Sequence, residues 1–268
     1  MCLPVRVVSA FVVTVLVWLP VGFGQWSDDP GVNLVVGNRS GPQVQAKIVA
    51  RPDGGFYVSW FDNSSGGYDV YLQRLDAASD RIEMRQVGLS PLGRPMYVAF
   101  ISAPANLARL DELREINRRL ALDPAIPEGE RETLLAGARV FVMQTLSMHS
   151  GEVAPSQALP IYAHVLATTE DPALLAQLED VVLMVVPSHN PDGMDMVVEH
   201  YRKTRGGRYD GSSLPGVYHR YVGHDNNRDF VALTQEDTRV VSRLFSTEWY
   251  PQVMVEKHQM GSTGIRYF

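Results

Sequence analysis

Residues 140–152 read Val140-Phe141-Val142-Met143-Gln144-Thr145-Leu146-Ser147-Met148-His149-Ser150-Gly151-Glu152. The apolar beginning of this segment predicts a buried strand, which runs into a histidine and a carboxylate three residues apart. His258 follows a second apolar run, at residues 251–256. Two neutral imidazoles and one carboxylate are the ligands that a catalytic Zn²⁺ requires. We therefore predict that His149, Glu152 and His258 bind zinc.

Strand and helix patterns alternate from about residue 88 onward. The predicted strands are 95–102, 139–146, 180–187 and 252–256, and the predicted helices are 106–122, 127–136, 153–167, 172–178 and 235–249, the last capped by Thr234 with Asp237. This alternation predicts an α/β fold with a mixed, largely parallel sheet and helices on both faces. Functional sites in such sheets form beyond the carboxyl ends of the strands. The three predicted ligands should therefore converge.

Changes in composition divide the chain into four predicted parts. Residues 1–24 are expected to be a signal peptide, and 25–45, rich in Gly, Asn and Pro, a linker. Residues 46–87 contain short runs rich in Val, Tyr, Trp and Phe, separated by Gly-rich turns, and predict a small β-meander. Residues 88–268 form the α/β domain.

The first residues resemble a secretory signal. Arg6 precedes an apolar run that ends at Pro20, and the small residues Gly22 and Gly24 follow. The run is short for a membrane span of about 20 residues, although an N-terminal anchor is the alternative. We expect a secreted or periplasmic protein without stable membrane insertion after cleavage. Cys2 is the one cysteine, so the mature chain would contain no disulfide.

The charge balance excludes some partners. The net charge is −6, with 20% charged residues. A mildly acidic chain without a long basic run is a poor candidate for binding nucleic acid. The predicted meander resembles one blade of a sialidase-type propeller, but a single blade cannot bury its own faces. We interpret it as a small docked β-element, with a carbohydrate-contacting surface around Trp60 and Tyr68 as the alternative.

Further motifs follow the predicted strands in a fixed order. They are Asn190-Pro191-Asp192-Gly193, Arg202-Lys203-Thr204-Arg205 and Asp225-Asn226-Asn227-Arg228. Together with His149-x-x-Glu152 and His258, this order resembles the zinc carboxypeptidase (M14) family over residues 88–268. The resemblance implies a zinc-dependent enzyme that hydrolyses the C-terminal peptide bond of a peptide or protein.

The resemblance also implies roles for single residues. Besides the three zinc ligands, Arg202 would polarise the scissile carbonyl and stabilise the oxyanion. Asn227 and Arg228 would bind the terminal carboxylate of the substrate. Asp225 would accept a hydrogen bond from His149 and so determine its tautomer. The Asn-Pro-Asp-Gly segment would be a structural loop beside the site.

One expected residue is not found. The family's general base is a glutamate on a strand well downstream of the third ligand, and this sequence ends ten residues after His258. We do not assign this role to Glu256. We expect the chain as given to be inactive, either as an incomplete product, as an inactive zinc-binding relative, or because another chain supplies the missing part.

Two other functions are open at this point. One is an exported, non-catalytic zinc-binding or interaction protein. The other is a peptidase for cell-wall peptides, because Asp229 follows Arg228 and would change the charge of the carboxylate pocket. The remaining histidines, at positions 164, 189, 200, 219 and 224, are interpreted as structural.

Overall fold

The computed structural model describes residues 79–214 and 222–259, and further upstream the strands β1 (Val15–Leu16), β2 (Gln43–Ala50) and β3 (Phe56–Asp62). The chain divides into two compact units, Met1–Tyr71 and Leu72–Phe268. In the first unit the three strands form an antiparallel sheet in the order β1-β3-β2. β2 and β3 match two of the three apolar runs of the predicted meander. The third run, at residues 68–75, lies outside the described residues.

The second unit alternates strands and helices. Its elements are β4 (Ile82–Leu89), β5 (Pro95–Ile101), α1 (Pro104–Leu107), α2 (Leu110–Leu122), α3 (Glu128–Gly137), β6 (Val140–Leu146), α4 (Ala154–Thr168), α5 (Pro172–Asp180), β7 (Val181–Val186), α6 (Pro191–Thr204), α7 (Asn226–Asp229), α8 (Glu236–Arg243) with a π-helical turn at Leu244–Glu248, and β8 (Val253–Lys257). The five strands form one sheet in the order β4-β5-β7-β6-β8. β6 pairs in parallel with β7 and β8, whereas β5 is antiparallel to β4 and β7. The predicted mixed, largely parallel α/β fold is confirmed.

One face of the sheet carries the main hydrophobic core. Phe100 on β5 pairs with Met184 on β7, which pairs with Met143 on β6, and all three side chains are fully buried. α2 covers this face with a stripe of apolar residues at helical spacing (Leu110, Leu113, Ile116). Trp249 packs in the same core, with its ring centroid 4.5 Å from that of Phe100 and 5.9 Å from that of Phe141.

The opposite face is covered by α4. Leu159 and Ala163 of this helix are buried, and the hydroxyl of Tyr162 lies 3.5 Å from Oε1 of Gln144 on β6. Gln144 points away from the core face because successive residues of a strand alternate between the two faces. Helices therefore lie on both sides of the sheet. This arrangement explains why β7 is apolar along its whole length (Val-Val-Leu-Met-Val-Val).

Three elements of the second unit were not identified from the sequence: β4, α6 and α7. β4 begins within the predicted meander segment 46–87, ends at Leu89 and pairs antiparallel with β5, so the sheet extends upstream of the boundary predicted at residue 88. Among the eight residues of β4 only Ile82 is buried. Its apolar and polar residues alternate only from Ile82 to Arg85, because the register shifts between Gln86 and Gly88. That regular stretch is short for recognising a strand.

The predicted cap of the C-terminal helix is wrong. α8 begins at Glu236, and its N-cap residue Gln235 makes no side-chain capping bond. The hydroxyl of Thr234 instead donates to the buried carboxylate of Asp229. A tertiary partner has thus displaced the local hydrogen bond that the sequence pattern predicted.

Candidate metal centre

The carboxyl ends of three adjacent strands place the candidate ligands at one edge of the sheet. β6, β7 and β8 run in parallel, and Leu146 at the end of β6 is paired with Lys257 at the end of β8. His258 follows β8 directly, and His149 lies three residues beyond β6. This register brings together two histidines that are far apart in the sequence.

A tight turn positions the first two candidate ligands. The backbone N–H of Glu152 donates to the carbonyl of His149 at 2.9 Å, and the Ser147 hydroxyl donates to the carbonyl of Glu152 at 2.8 Å. Ser147 itself has a φ of 50°, in the left-handed region that non-glycine residues seldom adopt. Strained backbone of this kind persists where the surrounding structure determines it, and it is often found at functional sites.

His149, Glu152 and His258 converge. The Nδ1 atom of His149 lies 3.0 Å from Oε1 of Glu152, and the Nδ1 atom of His258 lies 2.8 Å from Oε2 of the same carboxylate. The two imidazole centroids are 5.0 Å apart. One ligand atom from each of the three residues can be chosen so that all lie within 4.8 Å of one another. His149 and Glu152 are partly buried, whereas His258 is exposed, with 31% of its side-chain surface accessible.

These donors fit a zinc ion. Zn²⁺ binds imidazole nitrogens and carboxylate oxygens at about 2.0–2.2 Å, so neighbouring donors of a tetrahedral site are about 3.4 Å apart. The contacts of 3.0 and 2.8 Å between the imidazoles and Glu152 are close to that separation. Two histidines and one carboxylate also leave a fourth position open, as catalytic zinc sites do.

Asp225 contacts the Nε2 edge of the His149 ring, whereas Glu152 contacts the Nδ1 edge. Its Oδ1 atom is 2.9 Å from Nε2 of His149 and accepts the backbone N–H of Asn227 at 2.8 Å. Burial alone would raise the pKa of Asp225, but these hydrogen bonds lower it below its ordinary value. Likewise, burial would lower the pKa of His149, but hydrogen bonds with Glu152 and Asp225 raise it. When Nε2–H donates to Asp225, Nδ1 is the nitrogen that would be available to a metal ion.

The predicted substrate-binding residues follow Asp225 on the short helix α7. Asn227 is partly buried, and the exposed guanidinium of Arg228 donates to the carbonyl of Asn227 at 3.2 Å. The positive charge of Arg228 contributes to the lowered pKa of Asp225. Arg202 lies in the last turn of α6 and is exposed. Within the described residues, the Arg202 side chain makes no hydrogen bond or ion pair.

The Asn-Pro-Asp-Gly segment begins a helix. The Asn190 side chain accepts the backbone N–H of Gly193 at 2.8 Å and caps α6. The buried Asp192 carboxylate accepts the Ser90 hydroxyl at 2.7 Å and the Leu92 N–H at 3.1 Å. The segment therefore attaches α6 to the β4–β5 hairpin as the first turn of a helix, whereas the resemblance had implied a loop.

Two buried or partly buried groups lie near the ligands. His189 is completely buried, and its backbone N–H donates to the carbonyl of Leu146 at 2.8 Å. Burial, together with the positive charges of His149 and His258, lowers the pKa of His189 to about 3. Burial raises the pKa of Glu256, which the His258 and His149 charges oppose.

Asp229 lies in a buried hydrogen-bonded cluster. Its side chain is fully buried and accepts hydrogen bonds from Nε2 of His224 at 3.0 Å, from the backbone N–H groups of Thr234 and Gln235 at 2.9 and 2.8 Å, and from the Thr234 hydroxyl. Burial would raise the pKa of Asp229, but these hydrogen bonds lower it. The expectation that Asp229 changes the charge of a carboxylate pocket stays a prediction, and its side chain would act there only through its charge.

Comparison with known proteins identifies the family. The family model for zinc carboxypeptidases (M14) matches residues 68–252.

Among the described residues, no helix is long and apolar enough to cross a membrane. A search of the curated proteins finds no match.

Several solved structures are similar in fold. The match with carboxypeptidase A from Helicoverpa armigera has 18% sequence identity and a TM-score of 0.45. It covers 72% of this chain and 45% of that protein. Metallo-carboxypeptidases from Burkholderia cenocepacia and Pseudomonas aeruginosa are 15% and 14% identical, each with a TM-score of 0.45 over 80% of this chain. The matches cover 49% and 47% of these two proteins, so the chain spans less than half the length of each. Because the family model matches most of the sequence, the chain belongs to the zinc carboxypeptidase (M14) family.

Proposed function

We propose that this protein is a metallocarboxypeptidase domain that binds Zn²⁺ through His149, Glu152 and His258. One observation carries the proposal: the Nδ1 atoms of both histidines lie within 3.0 Å of the Glu152 carboxylate. The family assignment supports zinc as the ion, and the converging donors fit it.

The remaining residues of the site suit peptide hydrolysis. When bound, zinc would polarise the scissile carbonyl and lower the pKa of water at the site. Asp225 orients His149, and we propose that Arg202 polarises the same carbonyl and stabilises the developing oxyanion. We further propose that Asn227 and Arg228 bind the substrate's terminal carboxylate, because a guanidinium can bind a carboxylate through two parallel hydrogen bonds.

The exposed position of Arg228 supports this role. Its guanidinium is available on the surface and acts electrostatically on Asp225, which contacts a candidate ligand. Asp229 is buried and committed to other hydrogen bonds. We propose a peptide or protein C-terminus as substrate, and a cell-wall peptide is the alternative.

Zinc content tests the ligand assignment. We expect the purified chain to bind one equivalent of zinc, measured by metal analysis after dialysis, and the His149→Ala/His258→Ala double variant to bind none. A His164→Ala/His200→Ala double variant is the matched control, because it also loses two histidines but keeps the three donors. Stoichiometric zinc in the His149→Ala/His258→Ala variant would refute the proposed site.

A peptidase assay tests the reaction. Zinc-loaded protein is incubated with a peptide and with the same peptide amidated at its C-terminus. Hydrolysis of the free acid alone supports a carboxypeptidase that recognises the terminal carboxylate, and equal cleavage of both contradicts it. The prediction that residues 1–268 are inactive without a further glutamate is tested in the same assay, and hydrolysis by this chain contradicts that prediction.

We also propose export, with residues 1–24 as the signal. The basic start, apolar run and small-residue exit of the sequence support it. N-terminal sequencing of protein recovered outside the cytoplasm should begin near residue 25, whereas a chain that retains Met1 would contradict cleavage.

A further inference from the structure

We propose that Glu256 is a positioning residue for His258, just as Asp225 is for His149. The inference rests on the proposed function, because it takes His258 to be a zinc ligand. It assigns a role to a carboxylate that neither the sequence motifs nor the family match singled out.

The two edges of the His258 ring face different carboxylates. Nδ1 lies 2.8 Å from Oε2 of Glu152, and Nε2 lies 3.9 Å from Oε2 of Glu256. His149 shows the same division, with Nδ1 at 3.0 Å from Glu152 and Nε2 at 2.9 Å from Asp225. Each imidazole is therefore placed between the shared Glu152 and a carboxylate of its own.

This arrangement determines which nitrogen is available to a metal. A histidine ligand usually donates its second N–H to a carboxylate, a carbonyl or water, which fixes the ring orientation and makes the ligating nitrogen more basic. Asp225 already does this for His149. The 3.9 Å contact of Glu256 is an ion-pair distance, longer than a hydrogen bond of about 2.7–3.2 Å, and we expect it to shorten when Nδ1 binds zinc.

The surroundings of Glu256 favour a hydrogen bond between its carboxylate and the His258 ring. Its side chain is 26% exposed, and its Oε1 atom is buried without a hydrogen-bond partner among the described residues. On the neighbouring strand β6, Thr145 is paired in register with Glu256, and its hydroxyl is likewise buried without a partner. A buried carboxylate oxygen is costly unless it is paired, and the His258 N–H can donate to this carboxylate because Nε2 lies 3.9 Å from Oε2 of Glu256.

The same geometry argues against a catalytic role for Glu256. Its carboxylate lies at the Nε2 edge of His258, whereas Glu152 lies at the Nδ1 edge. The imidazole ring therefore lies between Glu256 and the position where zinc and substrate would meet. Glu256 acts through His258 and not on the substrate.

Three substitutions separate positioning from packing. Glu256→Gln retains an oxygen that can accept the His258 N–H, whereas Glu256→Met has a similar length without an acceptor. Glu132→Gln, at an exposed position of α3, is the control for the loss of one charge. The zinc dissociation constant is measured for each full chain by competition with a chromophoric chelator.

Positioning predicts a definite order of affinities. Glu256→Met should weaken zinc binding about 10–100-fold, as expected for the loss of such a partner, whereas Glu256→Gln should recover most of the affinity and Glu132→Gln should match the wild type. Equal affinity of the Glu256→Met and wild-type chains overturns the inference alone. A wild-type chain that binds no zinc overturns the metal site, and the inference with it.

The protonated nitrogen of His258 provides a second readout. In the zinc-loaded wild type, ¹⁵N NMR should show a proton on Nε2 of His258 that exchanges slowly, and Glu256→Gln should preserve it. Glu256→Met should lose this slow exchange while circular dichroism shows that the chain is folded. An unchanged Nε2–H signal in Glu256→Met contradicts the inference, even if the substitution lowers stability.

Discussion

Nε2 of His149 lies 2.9 Å from Oδ1 of Asp225, a residue 76 positions later in the chain. The same Oδ1 atom caps the short helix that carries Asn227 and Arg228. One carboxylate thus connects a candidate zinc ligand to the candidate binding site for the substrate's terminal carboxylate. Movement of α7 would therefore change the orientation of His149.

Replacing Asp225 should weaken zinc binding. We expect Asp225→Asn to raise the zinc dissociation constant about 10–100-fold, because the amide holds the Nε2–H tautomer of His149 less firmly than a carboxylate does. Asp225→Ala should in addition lose the cap of α7, at a cost of about 0.5–2 kcal/mol. Chelator competition and urea unfolding measure the two effects separately.

The control for this prediction is Asp180→Asn, at the exposed end of α5. It removes one negative charge and leaves Asp225 in place, so its zinc affinity should equal that of the wild type. Unchanged zinc affinity of Asp225→Asn would show that the contact with His149 does not orient a ligand.

His189 should make stability depend on pH. Its pKa is lowered to about 3 in the folded chain, whereas the ordinary value is about 6.5. The unfolded chain therefore binds more protons between these values, and stability must fall as the pH falls from about 6.5 toward 3. The loss from this one group is at most about 1.4 kcal/mol per pH unit. Urea unfolding of the metal-free protein at a series of pH values measures it.

His189→Leu removes the titrating ring and should flatten the pH dependence in this range. The control His200→Gln replaces a partly buried histidine of α6 and should retain the wild-type slope. Identical slopes for His189→Leu and wild type would mean that the buried ring does not control acid stability.

Asp229 should be important for stability. Its buried carboxylate accepts hydrogen bonds from His224, Thr234 and Gln235, and hydrogen bonds to a charged group contribute about 1.5–3 kcal/mol each. We expect Asp229→Ala to lower the free energy of unfolding by about 2–4 kcal/mol, measured in urea at neutral pH.

The pH dependence of this effect follows from the lowered pKa of Asp229. A carboxyl group whose pKa is lower in the folded chain stabilises the fold at pH values above about 3.9, its pKa in the unfolded chain. This contribution is lost as the pH falls through the pKa of the folded chain. The difference between Asp229→Ala and wild type should therefore shrink in strong acid. Asp180→Ala, at an exposed position, should change stability by less than about 0.5 kcal/mol at any pH.

Trp249 should contribute strongly to the core. It is 3% exposed, packs on Phe100 and Phe141, and lies under the guanidinium groups of Arg85 and Arg114 at 5.7 and 5.3 Å. Trp249→Ala should lower the free energy of unfolding by about 3–5 kcal/mol. Tyr209→Ala removes an aromatic residue that is 61% exposed and should cost less than about 0.5 kcal/mol. Similar losses for both substitutions would contradict the proposed core.

Local sequence patterns were sufficient to predict most of the scaffold. The apolar runs of β6 and β7 predicted buried strands, and the 3.6-residue spacing of Leu110, Leu113 and Ile116 predicted α2. Because those strands are parallel, their carboxyl ends had to share one edge of the sheet. That topological argument brought the candidate ligands together before any distance was known.

By itself, the sequence determined the donor types, their spacing within one turn and the class of fold, because these properties depend on side chains a few residues apart. Only the tertiary structure decided the partners of the acidic groups. Asp229 turns inward to Thr234, and Glu256 faces His258 across a ring whose position depends on the pairing of β6 with β8. A carboxylate has the same chemistry in either place, and its role depends on which donors the fold brings within a few ångströms.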